Sequence, residues 1–424
     1  MRKVVSEENY QVAWPAPDAP FEHHVKMLNG GIDIITSQLV LPEDKRFETA
    51  YMLLATGRGT KSAVEAVGDS GTGKTEFGNF LFGEDQRVDI APDDVSDTLY
   101  GYVNPINALE KIPGKLKGLG GDNQNFYLNE VGNLANTRPL LGVWDDQRYE
   151  WAATYLTSNF PKGATFVHEH DDALKSRIAV QFLTGDHDEA GNVKIQGANA
   201  DRKKDLSLAP VLPGVGARQA IRDGVVERYP ANISGKTANG VGGKTANGEY
   251  IVKMIRDLNS SNMTTPVSPS DARIGQALHD TARARMLLEK VAYGTEVLPQ
   301  YIARVASLVL PVLVKLSSTS RESFVDALDR QPSNIEEAIA IRRLIARVAF
   351  KTLYDQEVST ESDRRQMTNM SVDRYSYANP EAAGVDGVGT KIDIDRILFG
   401  GTTVARQTLK EPQRVRPSLF KRRG

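Results

Sequence analysis

The chain contains no cysteine. That excludes disulfides, thiolate metal sites and cysteine nucleophiles. It lacks a long apolar run. The longest, "VASLVLPVLV", is half the length of a membrane span and is broken by Pro311. It also lacks a charge excess, with 52 Lys+Arg against 54 Asp+Glu. No global field therefore draws it to nucleic acid or an anionic membrane, so any such contact has to be local. The opening "MRKVVSEENYQVAW" has no apolar core of the signal-peptide kind. From these absences we expect a soluble, cytoplasmic protein with no membrane span.

What is present is ordinary in bulk. The 424 residues suffice for two or three domains with a sizeable buried core. Residues 1–24 are polar and proline-bearing and read as an N-terminal arm. Helical spacing runs from Val25 to Thr56. "SAVEAV" at 62–67 reads as a short strand leading into a glycine cluster, and "TEFGNFLFG" as the helix after it. "QNFYLNE", "WAATYLTSN" and "RIAVQFLTG" read as further buried strands, with a helical run "TRPLLGVWDDQ" between the first two. Strands alternating with helices imply a parallel sheet covered on both faces. After about residue 205, apolar residues recur at spacings of three and four, the helix period. Pro269 precedes one such run, and Ser268 or Ser270 is the expected cap. A further helix is expected over roughly 321–356.

The glycine cluster carries the chemistry. "GDSGTGKT" satisfies G-x-x-x-x-G-K-[ST], with Gly68, Gly73, Lys74 and Thr75 in place. Glycines let the backbone curl so that several N–H groups converge on one anion. The helix that starts near Lys74 adds its positive dipole end. Residues Gly68, Asp69, Ser70, Gly71, Thr72, Gly73, Lys74, Thr75 and Glu76 form the expected binding loop for ATP. Lys74 reaches the β- and γ-phosphates, and the Thr75 hydroxyl ligates Mg²⁺. "FYLNE" has the form of a strand ending in an acidic residue, and Glu130 is the expected activator of the attacking water. Position 129 carries an amide where such motifs usually have a carboxylate. Asn129 can still accept a bond from a metal-bound water, without bringing charge. Asn159 closes the next strand, where it either holds the same water or serves as an ordinary turn residue.

Together these residues resemble the AAA+ ATPases, and among them the MoxR-like group. "GDSGTGKTE" resembles Walker A, "FYLNEVGNLANTRPLL" Walker B with Asn129 departing from it, "TSNFPKG" sensor 1, and "DDALKSRIAVQF" the arginine-finger segment. "DIAPDDVSDTLYGYVNP", "GEYIVKMIRDL" and "SPSDARIGQALHDTARARMLLEK" also match in order, the last two as the lid. The resemblance implies a P-loop NTPase α/β sheet with helices on both faces (the AAA+ core) followed by an α-helical lid domain. Its boundaries are expected at 1–24 for the arm, 25–204 for the core, 205–316 for the lid, 317–375 for a helical extension and 376–424 for a basic tail. It implies ATP and Mg²⁺ as cofactors, Glu130 and Asn159 at the hydrolytic water, and metal ligation through Thr75 and Asn129. It further implies Arg177 as a finger acting across a subunit boundary, with Lys175 as its substitute, and Arg273 as the lid's nucleotide sensor. The partners it implies are a homo-oligomeric ring, usually a hexamer, and a protein client to be remodelled. The space before sensor 1 is too short for the hairpin this group usually carries. A nucleic-acid motor using the lysines of "ALEKIPGKLKG", and a nucleotide-gated scaffold that hardly hydrolyses, are the rival readings.

Other features carry less. "HEHDD" at 168–172 is read as a polar loop rather than a metal site. "DHDEAG" fails the ligand pattern of a calcium loop. The repeat "GKTANG" at 235 and 243 reads as a duplication in a loop. The terminal basic residues form a solvated tail, dock on a neighbouring subunit, or bind nucleic acid.

Overall fold

The computed structural model describes residues 14–39, 45–57, 63–104, 106, 111–116, 125–134, 136–145, 151–160, 168–185, 193, 196–197, 211–231, 246–261, 264–315 and 331–357. Two helices lead, α1 (Phe21–Gln38) and α2 (Lys45–Thr56). The strand β1 (Ala63–Gly68) follows, then α3 (Lys74–Phe82). Next come β2 (Arg87–Asp89), α4 (Ser96–Tyr100), β3 (Gly101–Val103) and β4 (Lys111–Pro113). The strand β5 (Phe126–Asn129), the short helix α5 (Gly142–Asp145) and β6 (Thr154–Ser158) continue the chain. A one-turn helix α6 (Asp172–Lys175) precedes β7 (Ile178–Thr184).

Five strands form one parallel sheet in the order β2-β5-β6-β1-β7. Alternate side chains sort cleanly to its two faces. Val64, Ala66, Tyr127, Tyr155, Val180 and Phe182 join one apolar cluster, and Val88, Phe126, Leu128, Leu156 and Ile178 join another. Both faces are therefore covered, as a parallel sheet requires. The first cluster runs on into helices α7 (Val215–Arg228), α8 (Ala246–Ser260), α9 (Ala272–Leu288), α10 (Pro299–Val309) and α11 (Ile335–Glu357). The fold is an α/β P-loop core with a helical part packed against it. The start of α11 reaches back to the loop end of the sheet, where Ile335, Ala338 and Ile339 pack on Val67, Phe160 and Leu183.

Three details depart from the sequence reading. The helix α1 begins at Phe21, inside the stretch read as the arm. It does so because Phe21, Leu28, Ile32 and Ile35 line one buried face. The cap of α9 is Asp271, whose carboxylate accepts from the Arg273 amide at 2.8 Å, while Ser268 and Ser270 bond to each other at 3.0 Å. The short strand β2 and the antiparallel pair β3–β4 were not anticipated. Three residues are too few to show a strand period. The expected extension helix is observed from Ile335. The GKTANG repeat (through residue 245), residues 146–150 and the basic tail lie outside the described residues.

The helix α3 approaches β5 so closely that a Cβ on Gly78 would collide with the Tyr127 ring. Gly78→Ala should therefore destabilise the protein by about 2 kcal/mol despite alanine's higher helix propensity. Urea unfolding of the variant tests this, and an unchanged or raised midpoint contradicts it.

Candidate functional site

The loop between β1 and α3 is built by its glycines. Gly71 and Gly73 have φ of 82° and 85°, left-handed values that favour glycine. A Cβ added at either would meet open space, so backbone conformation, not crowding, sets the requirement. Gly68 differs: a Cβ there would strike Thr184 at the end of β7. Thr72 ties the loop shut. Its hydroxyl donates to the Asp69 carbonyl at 2.8 Å and lies 2.8 Å from the Thr184 hydroxyl. Two strand tyrosines then fix the start of α3. Tyr127 donates to the Thr75 carbonyl at 3.1 Å and Tyr155 to the Lys74 carbonyl at 3.0 Å. Burial pushes both phenols up, so they remain donors.

Lys74 is buried, and its ammonium donates to the carbonyls of Gly68 at 2.8 Å and Asp69 at 2.7 Å. Burial pulls its pKa down to about 8, against the opposing pull of Asp69 and Glu130. A cation desolvated in this way gains from an anion in the loop.

One strand separates this loop from the acidic strand, because β6 lies between β1 and β5. Glu130 follows β5 at φ 60°, a left-handed conformation for a residue with a side chain. Such strain is kept where the surroundings enforce it, which is common at functional sites. Here the Glu130 amide donates to Thr157 Oγ1 at 2.9 Å, and Asn133 Nδ2 donates to Glu130 Oε2 at 3.0 Å. Glu130 is otherwise exposed. Asn129 Oδ1 accepts from Thr157 at 2.7 Å and from Thr75 at 3.3 Å. Its Nδ2 donates to Asp89 at 2.8 Å. Asn159 stands half-buried at the end of β6, with no hydrogen-bond partner among the described residues. Loop, Asn129, Glu130 and Asn159 thus share the carboxyl end of the sheet, the usual ligand edge of such folds.

The donor set fits the expected groups. Thr75, Asn129, Asp89 and Glu130 offer only hard oxygen ligands of the kind Mg²⁺ takes alongside phosphates. The open glycines and the buried Lys74 fit a polyphosphate.

Arg177 and Arg273 lie elsewhere. Arg177 immediately precedes β7, whose first residue, Ile178, pairs with Ala63 at the start of β1. That is the opposite end of the sheet from the loop, about 20 Å away at the rise of a strand. Arg273 donates to the Ser176 hydroxyl, next to Arg177. The two arginines, Lys175 and Asp271 line one pocket between α6 and α9. Arg273 is therefore not beside this chain's own loop, as a sensor of its own nucleotide would be.

Sequence reading missed a buried network. Glu65, fully buried in β1, sits 2.6 Å from His170 Nε2 and accepts from Ser158 at 2.6 Å and Gln181 at 2.9 Å. Burial raises the carboxyl pKa, but His170, Ser158 and Gln181 outweigh it and hold it low. One of the histidines read as a polar-loop residue is thus an internal partner. Among the described residues no group of three or more His, Asp or Glu could hold a metal. The signal for the pair was a lone Glu in an otherwise apolar strand.

No protein-family model matches the chain, and no curated protein matches it. The fold has known counterparts. It is similar to the crystal structure of a candidate ATPase from Cytophaga hutchinsonii, with a TM-score of 0.52 over 77% of this chain and 95% of that one. The two are 14% identical, so the likeness speaks for the fold alone. Among the described residues no helix is long and apolar enough to cross a membrane.

Removing the partner of a buried carboxylate strands it. His170→Ala should cost about 3 kcal/mol, and Glu65→Gln in that background should restore part of it, since a neutral amide tolerates burial better. Denaturant titration of these two variants and of Glu65→Gln alone checks the coupling. Strict additivity contradicts it.

Proposed function

We propose that the chain is an ATPase of the AAA+ type, similar to the MoxR-like group, that works in the cytoplasm as a ring and remodels a protein client. One observation carries the catalytic part. A glycine-curled loop with a buried lysine shares the carboxyl end of the sheet with a strained glutamate, one strand removed. When bound, Mg²⁺ would neutralise phosphate charge and be held by Thr75, with Asn129 behind it.

The chain's own residues do the rest. The amides of residues 69–75 and Lys74 hold the phosphates. Glu130, whose charge is felt by Lys74, takes a proton from the attacking water. Asn159, at the end of β6, orients that water. Arg177 and Arg273 serve a neighbour's nucleotide rather than this chain's own, because their shared pocket is at the far end of the sheet. Oligomerisation then completes the site, and a cation from the next subunit meets charge that develops on the transferred phosphoryl group. The departure at Asn129 favours a second reading, a scaffold that binds ATP, assembles and turns it over slowly.

Glu130→Gln should bind ATP with affinity near that of the parent chain while losing about a hundredfold or more in turnover. Phosphate release and equilibrium binding check this, and undiminished turnover contradicts it. Lys74 adds a pH signature. Its neutral form cannot pair with phosphate, so ATP affinity should fall as pH rises through about 8. Affinity that stays level from about pH 7 to about pH 9.5 contradicts the assigned role.

A further inference from the structure

Asp89 ends β2 directly beside Asn129, which ends β5; the two are in register on neighbouring parallel strands. Both side chains therefore project from the same face of the sheet, and that is the face on which α3 begins. The Asn129 amide bridges them to the loop. Its Nδ2 donates to Asp89 Oδ1 at 2.8 Å, and its Oδ1 accepts from Thr75 and Thr157. These partners fix which end of the amide faces Thr75. The network continues from Thr157 to the Glu130 backbone amide. Arg87 Nε also reaches Asp89 Oδ1, at 3.1 Å, an exposed contact that is worth little in water. Asp89 Oδ2 accepts from no described residue, and the side chain is 61% exposed.

We propose that Asp89 supplies the negative charge that position 129 lacks, and that it acts on the metal-binding hydroxyl of Thr75 through the Asn129 amide. Asp89 is thus a positioning residue for a divalent cation, one strand over from the acidic position of the Walker B pattern. This rests on the ATP reading above. Two physical reasons support it. An amide whose N–H is held by a carboxylate has a more electron-rich oxygen, since linked hydrogen bonds polarise one another. That oxygen holds the Thr75 hydrogen, which leaves a hydroxyl lone pair for the cation. Loss of such an outer partner typically costs about 10- to 100-fold in metal affinity. The pairing also accounts for the departure itself. A carboxylate at 129 would face Asp89 across the strand pair, where like charges repel. The neutral amide converts that repulsion into a bond.

The test measures binding, not turnover. A fluorescent ATP analogue is titrated into the full chain in EDTA and in saturating Mg²⁺, and the ratio of the two affinities is the metal's contribution. Asp89→Asn keeps the shape and an acceptor for Asn129, but removes the charge. It should leave the EDTA affinity within about twofold and cut the metal's contribution by about tenfold or more. Adding Asn129→Asp to that variant returns a carboxylate to the bridge without a facing charge, and should restore the contribution. A metal contribution unchanged in Asp89→Asn, or not recovered in the double variant, overturns the proposal while leaving ATP binding intact. Failure of the parent chain to bind the analogue in either condition overturns the ATP reading and this proposal with it.

Discussion

A lysine ammonium desolvated at the head of a parallel sheet constrains everything around it. Lys74 has left water, and in its place it has two backbone carbonyls of its own loop. Those carbonyls are available only because the loop curls through two left-handed glycines. The curl holds only because Thr72 and Thr184 latch it and because Tyr127 and Tyr155 pin the first turn of α3 from below. Hydroxyl donors aimed at carbonyls cost little when buried, whereas a buried cation without an anion is expensive. The sheet therefore stores an unmet demand for negative charge at one edge. The strand beyond β6 meets that demand only partly, with a glutamate in a strained conformation.

Behind this edge the sheet is stiffened by polar contacts as well as apolar packing. Glu65 lies in the strand that leads to the loop and ties it to β6, β7 and the segment before α6 through Ser158, Gln181 and His170. Arg342 in α11 donates to the Gln181 carbonyl at 2.7 Å and to the Ser307 carbonyl in α10 at 2.8 Å. A late helix is thus bonded to the same strand that begins beside the arginine pocket and ends at the Thr184 latch. Both ends of the nucleotide chemistry proposed above lie on β7.

The sequence revealed what local chemistry dictates. The loop "GDSGTGKT" declares itself because backbone curvature and anion binding need those residues at that spacing. Strands β1, β5, β6 and β7 and the helices after 205 were legible because burial imposes a period on long segments. The short strand β2 was not, since its residues "RVD" carry no period. Asp89 consequently went unnoticed although it touches a residue already singled out. The Glu65–His170 pair was hidden by its separation of 105 positions, which no spacing rule spans. The same limit applied to Arg273. Chain order aligned it with a lid sensor, but only the packing of α9 against the start of β7 reveals that it joins Arg177 rather than the loop.

The most direct test is a structure with a non-hydrolysable ATP analogue and Mg²⁺. The account predicts the β- and γ-phosphates within the 68–76 loop, with the Lys74 ammonium drawn off the Gly68 and Asp69 carbonyls onto phosphate oxygen and the Glu130 carboxylate turned toward the γ-phosphate. An analogue bound elsewhere, or a loop left vacant with Lys74 still on its carbonyls, contradicts it.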